Sequence, residues 1–154
     1  MMMIVSGFTL DVANAYRIRT LLQATADASA LAAARQLPDG DAARQAARDL
    51  SRINMPVADH GEVSPLAMIE IGGWDADSQS FVSGDPASNA VRVTAARGAG
   101  AGLPVPTFLV GLVGREEWHV AASSTARARS GGSGQLTNLC PGALILSADT
   151  LQAG

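Results

Sequence analysis

The first ten residues, Met1 to Leu10, are apolar apart from Ser6 and Thr9, and the run stops abruptly at Asp11. Ten helical residues reach about 15 Å, half of a hydrocarbon core of about 30 Å, so this run alone does not span a bilayer. It lacks the basic start and the small-x-small cleavage site of a signal peptide. Two readings stay open on residue types: a buried helix start, or the second half of a membrane helix whose first half precedes Met1. From Leu10 to Leu37 the chain has no proline or glycine and is dense in alanine, leucine, glutamine and arginine, which predicts one long helix. Leu10, Arg17, Leu21, Ala24, Ala28, Leu31 and Ala32 recur at three- and four-residue steps, a stripe whose second half is small. Its partner is either the chain's own sheet or a helix of another subunit. Leu37-Pro38-Asp39-Gly40 ends the helix, since the residue before proline avoids the helical region and Asp-Gly favours a turn. Asp41 is then placed to cap a second helix, Ala42 to Ile53, with Arg44, Arg48 and Arg52 along one solvated face.

After Asn54 the period changes to alternation. Pro56 and Pro65 bracket a loop containing His60, and strand patterns follow at Leu66 to Ile71 and at Val91 to Ala96. Trp118, Val120 and Ala122 form another, with a short strand around Phe81 and Val82 beyond the turn-rich Asp75 to Ser78. Pro104 and Pro106 open an apolar stretch, Thr107 to Val113, that reads as a short helix over the sheet end. The expected class is α+β: a long N-terminal helix packed on a small antiparallel β-sheet. Ser130-Gly131-Gly132-Ser133-Gly134 has the composition of a linker. Leu144-Ile145-Leu146 beyond it reads as one more strand, with no partner in view.

Composition narrows the function. With 154 residues, a net charge of -3 and all 11 basic residues arginine without a basic stripe, a nucleic-acid role is excluded, because phosphate contacts need clustered cations. At 47% hydrophobic and 16% charged, most of the chain should fold. Cys140 is the only cysteine, so no internal disulfide contributes.

The ingredients of a hydrolase exist in His60, His119, Ser123 and several aspartates, but no serine sits in a Gly-x-Ser-x-Gly elbow. Two distant histidines and one cysteine make a poor metal set, and no cofactor is expected. Gly98-Ala99-Gly100-Ala101-Gly102 lacks both the lysine of a P-loop and a strand-to-helix setting, and reads as a mobile loop.

The stretch Asp11 to Leu37 nevertheless resembles a known signature. Asp11-Val12, Tyr16, Leu22-Gln23, Ala26-Asp27-Ala28 and Leu31-Ala32-Ala33-Ala34 are similar to the start of the Tad (tight adherence) TadE/TadG-like pilus-assembly proteins. Gly73-Trp74-Asp75, Phe81, Asn89-Ala90-Val91-Arg92-Val93, Phe108 and Gly114 resemble, in order, the domain that follows this helix in the family. The resemblance implies a pilin-like, membrane-anchored protein of the bacterial cell envelope with a periplasmic or extracellular head, serving assembly of Flp-type adhesive pili. Its implied partners are the membrane, through the N-terminal segment, other pilus-assembly proteins and a second copy of itself, with no small-molecule substrate.

On this reading residues 1–10 are the end of an anchor cut short, 11–37 the long helix, 38–129 the head, and 130–154 a linker with an unfinished tail. Leu21, Ala24, Asp27, Ala28 and Leu31 would carry helix packing. Asp27 has two roles open to it: a local hydrogen bond with Gln23 one turn away, or a polar contact between subunits. Cys140 is either a free thiol or one half of a disulfide with a cysteine beyond Gly154. The competing readings are a small envelope hydrolase and a truncated, non-functional fragment.

Overall fold

The computed structural model describes residues 2–98, 100–106, 117–128 and 136–138. Helix α1 runs unbroken over Met2–Ala34, 33 residues, about 50 Å at the α-helical rise. It ends four residues before Pro38. Helix α2 spans Gly40–Asn54, and its cap is Asp39 rather than the expected Asp41. Asp39 has extended backbone angles, and its Oδ1 accepts the N–H groups of Asp41 (3.1 Å) and Ala42 (3.0 Å), the second and third residues of the helix. Asp41 falls inside the first turn, paired loosely with Arg44.

A single-turn helix α3 (Val57–His60) and a 3₁₀ turn (Leu66–Met68) lead into the sheet. The strand expected at Leu66 begins only at Ile69, because Pro65 opens a turn that the Met68 N–H closes onto the Pro65 carbonyl. The strands are β1 (Ile69–Asp75), β2 (Ser80–Ser83), β3 (Ala90–Arg97), β4 (Val105–Pro106), β5 (Glu117–Trp118), β6 (Val120–Ala128) and β7 (Leu136–Asn138). Five of them form an antiparallel sheet in the order β2-β1-β3-β6-β7, and β4 pairs separately with β5. Trp118 therefore belongs to β5, opposite Val105, and the strand expected around it starts afresh at Val120. The expected helix at Thr107–Val113, the Ser130–Gly134 linker and the strand at Leu144–Leu146 lie outside the described residues.

The α+β expectation holds: α1 lies against β3 and β6, and α2 lies against α1. Two apolar clusters fill the space between. One joins Ala30, Ala33 and Ala34 of α1 and Ala43 and Ala47 of α2 to Ile69, Val91, Val93 and Ala126. The other joins Ile18, Leu22 and Ala26 to Met55, Val63, Ala95, Val105 and Ala122. Ala26, Ala30, Ala33 and Ala34 of α1 share these clusters with Ala95, Ala122 and Ala126 of the sheet, small side chains that permit a close approach.

The buried face of α1 is not the expected stripe. Ile18, Leu22, Thr25, Ala26, Ser29, Ala30 and Ala33 are buried, whereas Leu10, Arg17 and Ala24 are exposed and Leu21, Ala28, Leu31 and Ala32 are half-buried. The two sets differ by about one residue, a rotation of about 100°. On a helix with alanine on every side the apolar pattern leaves the face undetermined, and the shape of the sheet selects it.

Candidate assembly surface

On the flank of α1 beside β6, helix and strand run in the same direction: Ala15, Tyr16 and Arg19 stand beside His119, Val120 and Ala121, and Gln23 reaches Ser123. The space between them is a groove of about 370 Å³. It is followed along α1 by a second, of about 450 Å³, lined by Tyr16, Arg19, Thr20, Gln23, Ala24 and Asp27. Tyr16 is 70% exposed, far more than an aromatic residue with a role in the core.

Gln23 Nε2 donates to Asp27 Oδ1 at 2.9 Å, the local one-turn bond that the spacing allows, and makes a long 3.5 Å contact with the Ser123 carbonyl. Leu21 packs on the second apolar cluster and Leu31 on the first, so of the five expected packing residues Ala24 is the most open to a partner. Asp11, where the apolar run ends, is buried at 3% exposure and is held by an interaction of its own.

The motif residues of the sheet are structural. Val91 and Val93 are fully buried under α1. Trp74 pairs with Phe81 on β2, and its N–H, beyond the last β1–β3 pair, is taken by Asn89 Oδ1 at 2.9 Å. The Asn89 carbonyl accepts the Ala128 N–H, so one residue joins β1 to β6. Gly73 has no room for a side chain: a Cβ there would stand 2.6 Å from the Asp85 carboxyl. Asp75 folds the following turn by accepting from the Ser78 hydroxyl (2.7 Å) and the Asp77 N–H (2.9 Å), bonds that hold its carboxyl below the usual aspartate range.

Residue types alone did not reveal the role of Glu62. Its carboxylate receives Arg52 Nη2 at 2.6 Å and Arg48 Nη2 at 3.3 Å, so two of the three arginines expected on a solvated face instead hold α2 to the loop before β1. The hydrogen bond from Arg52, opposed by partial burial and reinforced by Arg48, keeps Glu62 below the usual glutamate range. The 10- and 14-residue separations, outside any one helix turn, hid this pairing from the sequence.

The described ends of the segment expected to be mobile carry backbone hydrogen bonds, the Ala101 N–H to the Gly98 carbonyl among them. Gly102 N–H donates to the Glu62 carbonyl and Leu103 N–H to the His60 carbonyl. Arg97, only 8% exposed, donates Nε to the Leu103 carbonyl at 2.8 Å, and burial lowers its pKa. Gly98, at φ +79°, leaves room for the His119 ring, which a Cβ would strike.

None of this assembles a hydrolytic centre among the described residues. His119 and Ser123 lie four residues apart along one extended chain, about 13 Å, too far for proton transfer. His60 Nδ1 is buried with no hydrogen-bond partner. No group of three histidine, cysteine, aspartate or glutamate side chains that would hold a metal occurs among the described residues.

Residues 1–36 match the family model described as putative Flp pilus-assembly TadE/G-like, and residues 32–126 match the one described as putative Tad-like Flp pilus-assembly. No curated protein and no solved structure matches the chain.

Proposed function

The chain belongs to the Tad-like family of Flp pilus-assembly proteins, a component of the cell envelope, and on that premise we propose that it works as a membrane-tethered packing subunit. The observation that carries this reading is the continuity of α1. The apolar turns from Met2 to Leu10 and the part of the helix buried against the sheet are one rod with no hinge between them. In this reading the apolar turns enter the lipid as the head-proximal part of an anchor, and buried Asp11 marks where lipid gives way to protein. Among the described residues no helix is long and apolar enough to cross a membrane by itself. Tyr16, at 70% exposure just past the apolar turns, suits the headgroup level, where an aromatic ring meets both lipid and water. The exposed flank at Ala24 then meets other pilus-assembly proteins or a second copy through close helix contact.

Expression from the native gene followed by membrane fractionation tests the tether. The protein should sediment with membranes and resist extraction by high salt or carbonate, and full recovery in the soluble fraction would refute the anchor. Ala24→Arg, on the exposed flank, should leave folding intact and abolish pilus formation, because the bulky cation blocks close approach. Normal pili in that variant would remove the flank from the interface.

A further inference from the structure

Arg19 and His119 line one groove of about 370 Å³ together with Tyr16, and neither forms a side-chain hydrogen bond or ion pair among the described residues. The two acids of α1 are distant. Asp11 and Asp27 each lie eight residues from Arg19, about 12 Å along the helix, Asp11 buried and Asp27 holding Gln23. His119 is seated by Gly98: its ring fills the space a Cβ would take there, with Nδ1 nearest, so Nε2 lies on the far edge of the ring. The height of Arg19 on the helix is a second observation. Its Cα stands nine residues past Leu10, about 14 Å along α1. A helical side chain leans toward the N-terminus, and the arginine stem carries its guanidinium back by roughly half that distance, toward Ala15 in the same groove. The headgroup layer on each side of a bilayer is about 5–8 Å deep. With Leu10 at the edge of the hydrocarbon, the guanidinium falls within that layer. Arg17 is equally exposed but sits about 200° round the helix from Arg19, outside the groove.

We propose that this groove holds the phosphodiester of an anionic, glycerol-type phospholipid headgroup, an inference that rests on the membrane-tethered reading. The planar fork of Arg19 matches two phosphate oxygens, and His119 Nε2 and the Tyr16 hydroxyl are further donors lining the same space. Charge complementarity selects the lipid. Among the described residues the groove presents donors and a fixed positive charge without an acid, so the ammonium of a zwitterionic headgroup would find no partner and would face Arg19. A glycerol headgroup carries one negative charge and no cation. A free phosphate offers the same oxygens, but only a lipid also lays its acyl chains beside the apolar turns of the same helix. A headgroup held on one side of α1 fixes how the helix is turned about its own axis at the membrane.

The test uses the full gene product in phosphatidylcholine bicelles, titrated with phosphatidylglycerol at constant ionic strength. The amide signals of Tyr16 and Val120 should shift and saturate, and further phosphatidylcholine should leave them unmoved. Arg17, Arg19 and His119 are exposed, so substitutions there leave the fold intact. Arg19→Gln should weaken the apparent affinity about fivefold and Arg17→Gln less than about twofold. His119→Phe, which keeps a ring against Gly98 and removes the donor, should weaken it about twofold or more. Saturation unchanged in both Arg19→Gln and His119→Phe, or equal losses in Arg17→Gln and Arg19→Gln, would overturn the proposal, the second by reducing it to diffuse surface charge. The same shifts produced by millimolar inorganic phosphate would overturn it too, by giving the groove to a free anion. Flotation separates this inference from the reading beneath it. Failure to float with vesicles of either lipid refutes the tether, whereas flotation with both and no saturable shift refutes the headgroup site alone.

Discussion

Asn89 stands where the pairing of β1 with β3 ends, and its side chain takes the Trp74 N–H that would otherwise lack an acceptor. Asn89→Ala removes this acceptor from a half-buried donor and should cost about 1–3 kcal/mol, read as a lower urea midpoint with an unchanged slope. Asn89→Asp, which keeps the acceptor, should recover most of it. The opposite sign is expected at Ser29. Its hydroxyl is buried on α1 with no hydrogen-bond partner, so Ser29→Ala should be neutral or stabilising by up to about 1 kcal/mol, seen as an unchanged or raised melting temperature. A clear loss of stability there would mean the hydroxyl is satisfied in solution.

Among the elements, α1 separates what its residues disclose from what they do not. Its existence follows from 28 proline- and glycine-free residues between Leu10 and Leu37, and its end from Pro38. Its orientation does not follow, because alanine on all sides makes neighbouring faces nearly equal in transfer free energy. Leu22→Ala should therefore cost about 2–5 kcal/mol, and Leu21→Ala, on the half-exposed line favoured by the periodicity, distinctly less in the same denaturation series. Strand positions were legible from alternation: Val91 and Val93 flank Arg92 and lie buried, and Val120 and Ala122 fall on one strand as the pattern has them. The Leu66 start and the Trp118 strand were misplaced because a proline turn and a break at His119 override alternation locally.

The attachment of α2 through Glu62 was invisible for a third reason, that two like-charged residues on one helix face say nothing of a lone acid in a later loop. Its pH dependence follows from the direction of the shift. Glu62 in the folded protein lies below its ordinary value of 4.5, so the contact contributes fully above that pH and is lost as pH falls through the folded value. Glu62→Gln should lower the urea midpoint at pH 7, and the gap from the unaltered protein should close as pH falls below 4.5 and through the lower folded value. A gap that persists in acid would point to lost packing rather than lost charge.

At the scale of the molecule, the described helices α1 and α2 share their apolar clusters with one face of the sheet, and the residues that carry the family resemblance fall into two groups. Those on β1 and β3 hold the sheet together, while Tyr16 and Gln23 line the flank where the helix is open. Mutations in the two groups should separate experimentally, the first lowering thermal stability and the second changing assembly at constant stability. The parallel course of α1 and β6 has a mechanical consequence. A pull delivered along the helix axis loads the alanine interface in shear, straining its rows of contacts together, whereas a helix crossing the strands would be peeled off one row at a time. In the tethered role proposed above, that alignment would resist a pull delivered along α1.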